Sequence, residues 1–241
     1  MSKKGIITLV SVIGCLLIII LIFNLTVGEI DSKDGITEDS LRFKQVYERL
    51  NGIAYENNPS LVFQTIEIPS DNPFVFASFD EIIYLLENNG TGVVYLGFPN
   101  CSWCRNLVPV LIEAASDFGL EKILHRNIYE DRNLLEIQDD EIIELREGNP
   151  GYLRILELLG ERAPIYRELF PLNDGTIRRI YVPVVLFIRD GEIIRYQGNL
   201  DSFQARVNQN DDITSFDPMN EDEIDELKHI FLEYFARLFN Y

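Results

Sequence analysis

Val93-Val94-Tyr95-Leu96-Gly97-Phe98-Pro99-Asn100-Cys101-Ser102-Trp103-Cys104-Arg105-Asn106-Leu107-Val108-Pro109 is the stretch on which the fold turns. Residues 91–98 are a short, nearly continuous apolar run, the pattern of a strand buried on both faces. Pro99-Asn100 ends it, and the period then changes. Val110, Leu111, Ala114 and Phe118 fall on one side of a helix that begins at the two cysteines. A second strand candidate follows at residues 123–129. Strand, helix, strand in this order predicts a βαβ unit with Cys101 and Cys104 at the start of its helix.

That placement carries chemistry. The first turn of a helix offers unpaired backbone amides and the positive end of the helix dipole, and both favour thiolate, the nucleophilic form of cysteine, over thiol. The second sulfur of a Cys-x-x-Cys pair sits about one turn further on, within reach of a mixed disulfide formed by the first. Cys101 is thus expected to attack and Cys104 to resolve. Two other uses of the pair compete, half of a zinc site and a fixed structural disulfide. Zinc needs two more ligands; only His125 and His229 could join besides carboxylates, and neither has ligand spacing. A single short-loop disulfide adds little to a domain with an ample core.

Outward from the pair, residues 40–50 predict a helix with Leu41, Phe43, Val46, Tyr47 and Leu50 as its apolar positions, stopped by Asn51-Gly52. Residues 61–68, rich in β-formers and ended by Pro69, read as a strand. Ser78-Phe79-Asp80-Glu81 is a capping box opening a helix that stops at Asn88-Asn89-Gly90. Asn149-Pro150 opens another, ending at Gly160. Residues 180–188 and 192–196 are two strands, and Arg189-Asp190-Gly191 between them is a hairpin turn. Asp217-Pro218 is expected to cap a last helix with Ile224, Leu227, Phe231, Phe235 and Leu238 as its apolar stripe.

The 241 residues, 46% hydrophobic and 25% charged, suit one domain with a short appendage. Residues 5–28 hold no charge, and as a helix they would span roughly 36 Å, enough for a hydrocarbon core of about 30 Å. Lys3 and Lys4 precede them, which keeps that end in the cytoplasm and sends the rest outside. The run is read as an uncleaved anchor; a lipoprotein signal ending at Cys15 and a cleaved signal peptide are the alternatives. All 39 acidic residues and all but two of the 21 basic ones follow Gly28, so the exported part is strongly acidic and nucleic acid is excluded as a partner. The expected organisation is an anchor at 1–28, a stalk and leading helix at 29–60 and the domain at 61–241.

Phe98-Pro99-Asn100-Cys101-Ser102-Trp103-Cys104, with Pro109 five residues on, resembles the strand-to-helix active site of the thioredoxin superfamily. Val182-Pro183 followed by an apolar strand and Arg189-Asp190-Gly191-Glu192 is similar to that family's cis-proline loop and final hairpin. The match covers most of residues 61–200. Within the superfamily the chain most resembles exported, membrane-tethered bacterial members of the bacteriocin transport accessory kind. A bacterial origin also suits Asn100-Cys101-Ser102, a glycan acceptor sequon lying on the cysteine pair.

The resemblance implies a thioredoxin fold, a central mixed sheet flanked by helices, with a helical insertion at about 130–175 before the cis-proline. It implies an extracytoplasmic oxidoreductase of protein or peptide disulfides with Cys101 and Cys104 as catalytic residues. Trp103, Val182 and Pro183 would contact substrate. Electrons would travel through the cysteines, without a dissolved cofactor or metal, and a membrane redox partner would recharge them. The alternative is a non-catalytic thioredoxin-fold module that binds a transporter or secreted peptide. The chain departs from the family in Tyr95, where thioredoxins carry a buried aspartate, and in Ser102-Trp103, which leaves reductase, isomerase and oxidant open.

Overall fold

The computed structural model describes residues 35–239. Its elements run α1 (Glu38–Glu48), β1 (Ala54–Tyr55), β2 (Asn58–Val62), β3 (Phe74–Phe76), α2 (Phe79–Glu87), β4 (Gly92–Leu96), α3 (Ser102–Phe118) and β5 (Ile123–Arg126). They continue with β6 (Leu134–Gln138), β7 (Glu141–Arg146), α4 (Pro150–Leu159), β8 (Val184–Arg189), β9 (Glu192–Gln197), α5 (Asp201–Gln209) and α6 (Glu221–Phe239). The chain divides before Glu38, so α1 belongs to the same compact unit as the sheet.

Five strands form one mixed sheet in the order β3-β5-β4-β8-β9. β5 runs parallel to both β3 and β4, β8 antiparallel to β4, and β9 antiparallel to β8. β4, α3 and β5 make the expected βαβ unit. Side chains alternate across a strand, and β4 divides accordingly. Val93 and Tyr95 face the core under α1, α3 and α6, while Val94 and Leu96 face the core under α2 and α4. β8 divides the same way, with Val185 and Phe187 on the first face and Val184, Leu186 and Ile188 on the second. Helices therefore cover both faces of the central strands, as their unbroken apolar runs require.

Local signals held at several ends. Ser78 and Glu81 close the capping box of α2, Asn149 Oδ1 caps α4 through the amide of Gly151, and Asp190 and Gly191 take the positive φ angles of a tight hairpin turn. Others did not hold. Residues 63–68 form no strand: Phe63 still bonds to the Gly52 and Ile53 backbone, but beyond it side chains of α1 and of Asn51 take the place of a partner strand. Asn51 receives the Ile66 amide and donates to the Ile66 carbonyl, Glu48 receives the Ile68 amide, and Lys44 donates to the Ile68 carbonyl. The last helix starts at Glu221, capped by Asn220 and Glu223, whereas Asp217 turns back to the amide and hydroxyl of Thr214.

The insertion is not purely helical. The antiparallel hairpin β6–β7 precedes α4, turning through Asp139 and Asp140, both at positive φ. β3 and α5 were also unforeseen. The expected anchor at 1–28 and Cys15 lie outside the described residues, among which no helix is long and apolar enough to cross a membrane.

Gly97 links β4 to the cysteine loop, and a Cβ there would collide with the Tyr95 hydroxyl. Tyr95 is fully buried and held at that hydroxyl by Tyr47 at 2.8 Å, so it has little room to yield. Gly97→Ala is expected to lower stability by about 1–3 kcal/mol, the usual cost of overpacking, read as a lower denaturation midpoint in urea. An unchanged midpoint would show that the Tyr pair moves freely.

Candidate active site

Cys101 is the N-cap of α3. Its backbone is extended (φ −105°, ψ 116°), its carbonyl accepts the first helical bond from Arg105 at 3.1 Å, and its Sγ accepts the Cys104 amide at 3.2 Å. The sulfur thus takes the capping role that Ser or Asp oxygens usually fill. Its other near neighbour is the Val182 carbonyl, 3.8 Å away. The Val182–Pro183 peptide bond is cis, as the resemblance implied, and it brings this carbonyl to the cysteine from the start of β8. Cys101 is half-buried and Cys104 fully buried, and both are free thiols. Cys101 is the more accessible of the two sulfurs.

The expectation of a readily ionised Cys101 needs correction. Burial pushes the Cys101 thiol well above its ordinary value, the adjacent Cys104 thiol adds to this, and the Cys104 amide and the Arg132 guanidinium oppose it. A raised pKa keeps the thiol form until alkaline pH. Alkylation of Cys101 by iodoacetamide should therefore still rise with pH beyond about 8.5, the ordinary cysteine value. Levelling off below pH 7 would contradict the burial effect.

Behind the pair, Tyr95 and Tyr47 share a buried hydroxyl–hydroxyl bond, and burial raises both phenols well above their ordinary values. Both stay neutral at working pH, so an uncharged polar pair stands behind the two sulfurs. His125 is a core residue. It lies among Phe43, Phe74, Phe76 and Tyr95, and burial pushes its pKa down to about 3, so it is no base at neutral pH.

Trp103 is half-buried and packs edge-on against Phe203 of α5, with ring centroids 5.1 Å apart. Val182 is half-buried and Pro183 buried. Ser102 Oγ meets Ser215 Oγ at 2.6 Å, and Asn106 binds the Ser215 and Asp217 carbonyls and the Met219 amide. The loop before α6 is thereby strapped along the first turns of α3. Phe216 of the same loop packs on Tyr55 and Phe63.

Arg105 directly follows Cys104 and is fully buried. Its guanidinium donates to the carbonyls of Tyr47 (2.8 Å), Gln64 (2.8 Å) and Pro99 (3.4 Å) and to Asn51 Oδ1. The pattern around the cysteines gave no sign that Arg105 points inward. Its place next to a buried residue on α3 was the available clue.

Among the described residues no group of three or more His, Cys, Asp or Glu side chains is placed to hold a metal ion. Fold and site together define a mixed α/β protein with a dithiol at a helix start, facing a cis X-Pro bond. No protein-family model matches the chain, and no curated protein matches it.

Proposed function

We propose that the chain is a thiol–disulfide oxidoreductase, a reductase or isomerase of protein or peptide disulfides, built on a thioredoxin-type fold. The observation that carries this reading is the position of Cys101 Sγ, which caps α3 through the Cys104 amide at 3.2 Å and meets the Val182 carbonyl at 3.8 Å. The five-stranded mixed sheet, the β4–α3–β5 unit and the β8–β9 hairpin after the cis bond support it. Residues 5–28 would tether the domain to a membrane with its site outside the cytoplasm, or Cys15 would do so as a lipid-bearing cysteine.

In the proposed reaction Cys101 loses its proton to water and attacks one sulfur of a substrate disulfide. A Cys101–substrate bond forms, the substrate S–S bond breaks, and the departing sulfur takes a proton from solvent. Cys104, deprotonated in turn, attacks Cys101 Sγ, forms the Cys101–Cys104 disulfide and releases the second substrate thiol. Two electrons pass to the substrate. A membrane thiol carrier would return them.

Burial keeps Cys101 a neutral thiol at working pH, so the reduced pair lacks the thiolate stabilisation that marks strong oxidants. Equilibration of the domain with glutathione should give a reduction potential near the thioredoxin value of about −270 mV or lower. A value near −120 mV, that of a strong oxidant, would overturn the reductase direction. No disulfide between Cys101 and Cys104 at any ratio of reduced to oxidised glutathione would favour the accessory-module reading.

A further inference from the structure

The loop between β5 and β6 handles its charges unevenly. Arg126 pairs with Asp131 at 2.9 Å, and Arg146 of β7 pairs with Glu130 at 2.7 Å while also donating to the Arg132 carbonyl. Both carboxylates of the loop are thereby used. Arg132 is left over. Among the described residues its side chain has no carboxylate and no hydrogen-bond acceptor, its Nε is buried without a partner, and its guanidinium lies over the rings of Phe98 (5.0 Å) and Tyr129 (5.7 Å).

A second guanidinium stands behind it. Arg179 is 8% exposed, lies over Tyr166 at 4.4 Å, and donates to the carbonyl of Asn133, the residue after Arg132. It too has no carboxylate partner among the described residues. The two repel: burial first, then Arg179, hold the Arg132 guanidinium below its ordinary value. Two arginines with no carboxylate, in a chain of net charge −18, make a local positive site in an acidic surface. Desolvated cations without partners are costly, and a bound anion relieves that cost.

The site adjoins the proposed nucleophile on both segments that reach it. Phe98, under Arg132, accepts the Cys101 amide at 3.3 Å in the turn before α3. Arg179 lies three residues before Val182, whose carbonyl faces Cys101 Sγ. Arg132 also acts electrostatically on that sulfur. A group bound at Arg132 would therefore sit beside whatever is joined to Cys101.

We propose that Arg132, backed by Arg179, binds a carboxylate carried next to the substrate cysteine, so that the protein selects disulfides in acidic surroundings. The inference rests on the oxidoreductase reading of Cys101. The acidic surface does not forbid it, since charges beyond about 8–10 Å are largely screened at physiological salt while a direct guanidinium–carboxylate contact is not.

The test loads Cys101 of the Cys104→Ser chain with a peptide through a mixed disulfide, starting from the peptide activated as its nitrothiobenzoate disulfide. The product is equilibrated with equal amounts of two thiol peptides, acetyl-Ala-Glu-Cys-Glu-Ala-amide and its Gln counterpart, and the bound fractions are weighed by mass spectrometry. The same exchange on 2-mercaptoethanol gives the reference. Relative to it, the Glu peptide should be favoured about tenfold at low salt, and less as salt shortens the screening length. Arg132→Gln and Arg179→Gln should each bring the ratio towards one, and Arg132→Lys should keep part of it.

A further pair, peptides ending in a C-terminal cysteine as free acid or amide, separates a chain end from an acidic side chain as the source of the carboxylate. Preference for the acid in either pair supports the site. Equal occupancy in both pairs would overturn it, as would a Cys101 that accepts no activated peptide. The exchange needs only an accessible Cys101 thiol. Loss of disulfide turnover with the preference intact thus counts against the oxidoreductase reading alone, and equal occupancy with turnover intact counts against the carboxylate site alone.

Discussion

Replacing Arg105 with methionine is expected to destabilise the domain by about 3 kcal/mol, seen as a urea midpoint lower by about 1–2 M. Arg105 is buried without a carboxylate, which calls for a reason, since an isolated interior cation is strongly disfavoured. Its counter-charge is backbone. Tyr47 lies in the last turn of α1, where unpaired carbonyls and the negative end of the helix dipole gather, and its oxygen accepts Arg105 at 2.8 Å. The same guanidinium holds Gln64, Asn51 and Pro99, so it joins the end of α1, the extended 63–68 segment and the entry to the cysteine loop. Methionine fills the volume and leaves the Gln64 and Pro99 carbonyls without this donor, at about 1–3 kcal/mol for each stranded group, while the Tyr47 carbonyl keeps the Leu50 amide and Asn51 Oδ1 the Ile66 amide. Recovery of the cation's own desolvation offsets part of the loss. A midpoint within 0.3 M or so of the parent, about 0.6 kcal/mol on a typical slope, would show that water reaches these carbonyls.

Much of the arrangement was legible because local and tertiary preferences agree at the centre of the fold. The apolar run at 92–96 had to be a strand covered on both faces, and the cysteine pair had to open the next helix. Legibility fails where side chains replace backbone partners or where elements are short. The β-forming composition of residues 63–68 was real, yet Asn51, Glu48 and Lys44 satisfy that backbone and no ladder forms. β3 has three residues, too few for a period to show. α5 buries only Phe203, so its pattern is nearly all polar. The β6–β7 hairpin turns on Asp139-Asp140 instead of a glycine dipeptide, so the strongest hairpin signal is missing from its sequence.

At the site, the motif located Cys101, Cys104 and the cis Val182–Pro183 bond, all readable from order along the chain. The residues around them were not. Arg105, Asn106 and Arg132 act through where the backbone places them, and a charged or amide side chain in a sequence does not announce that it points inward. The ionisation of Cys101 is not legible for a related reason, because helix position is local information and burial is not.

The division of labour between the two sulfurs is the central claim, and its effect on living cells should be large. In the proposed reaction attack by Cys101 would form the mixed disulfide, and Cys104 would offer the intramolecular exit from it. With Cys104→Ser the intermediate loses that exit and should accumulate, whereas Cys101→Ser leaves, among the described residues, the fully buried Cys104, which a substrate does not reach; Cys15 is common to both variants and cancels in their comparison. The measurement is non-reducing electrophoresis and mass spectrometry of the two full-length variants after acid quenching of the cells that produce them. At least about tenfold more reductant-sensitive adducts with Cys104→Ser than with Cys101→Ser is the result expected from the exposure and order of the two thiols. Equal trapping by both variants, or none by either, would contradict the oxidoreductase account.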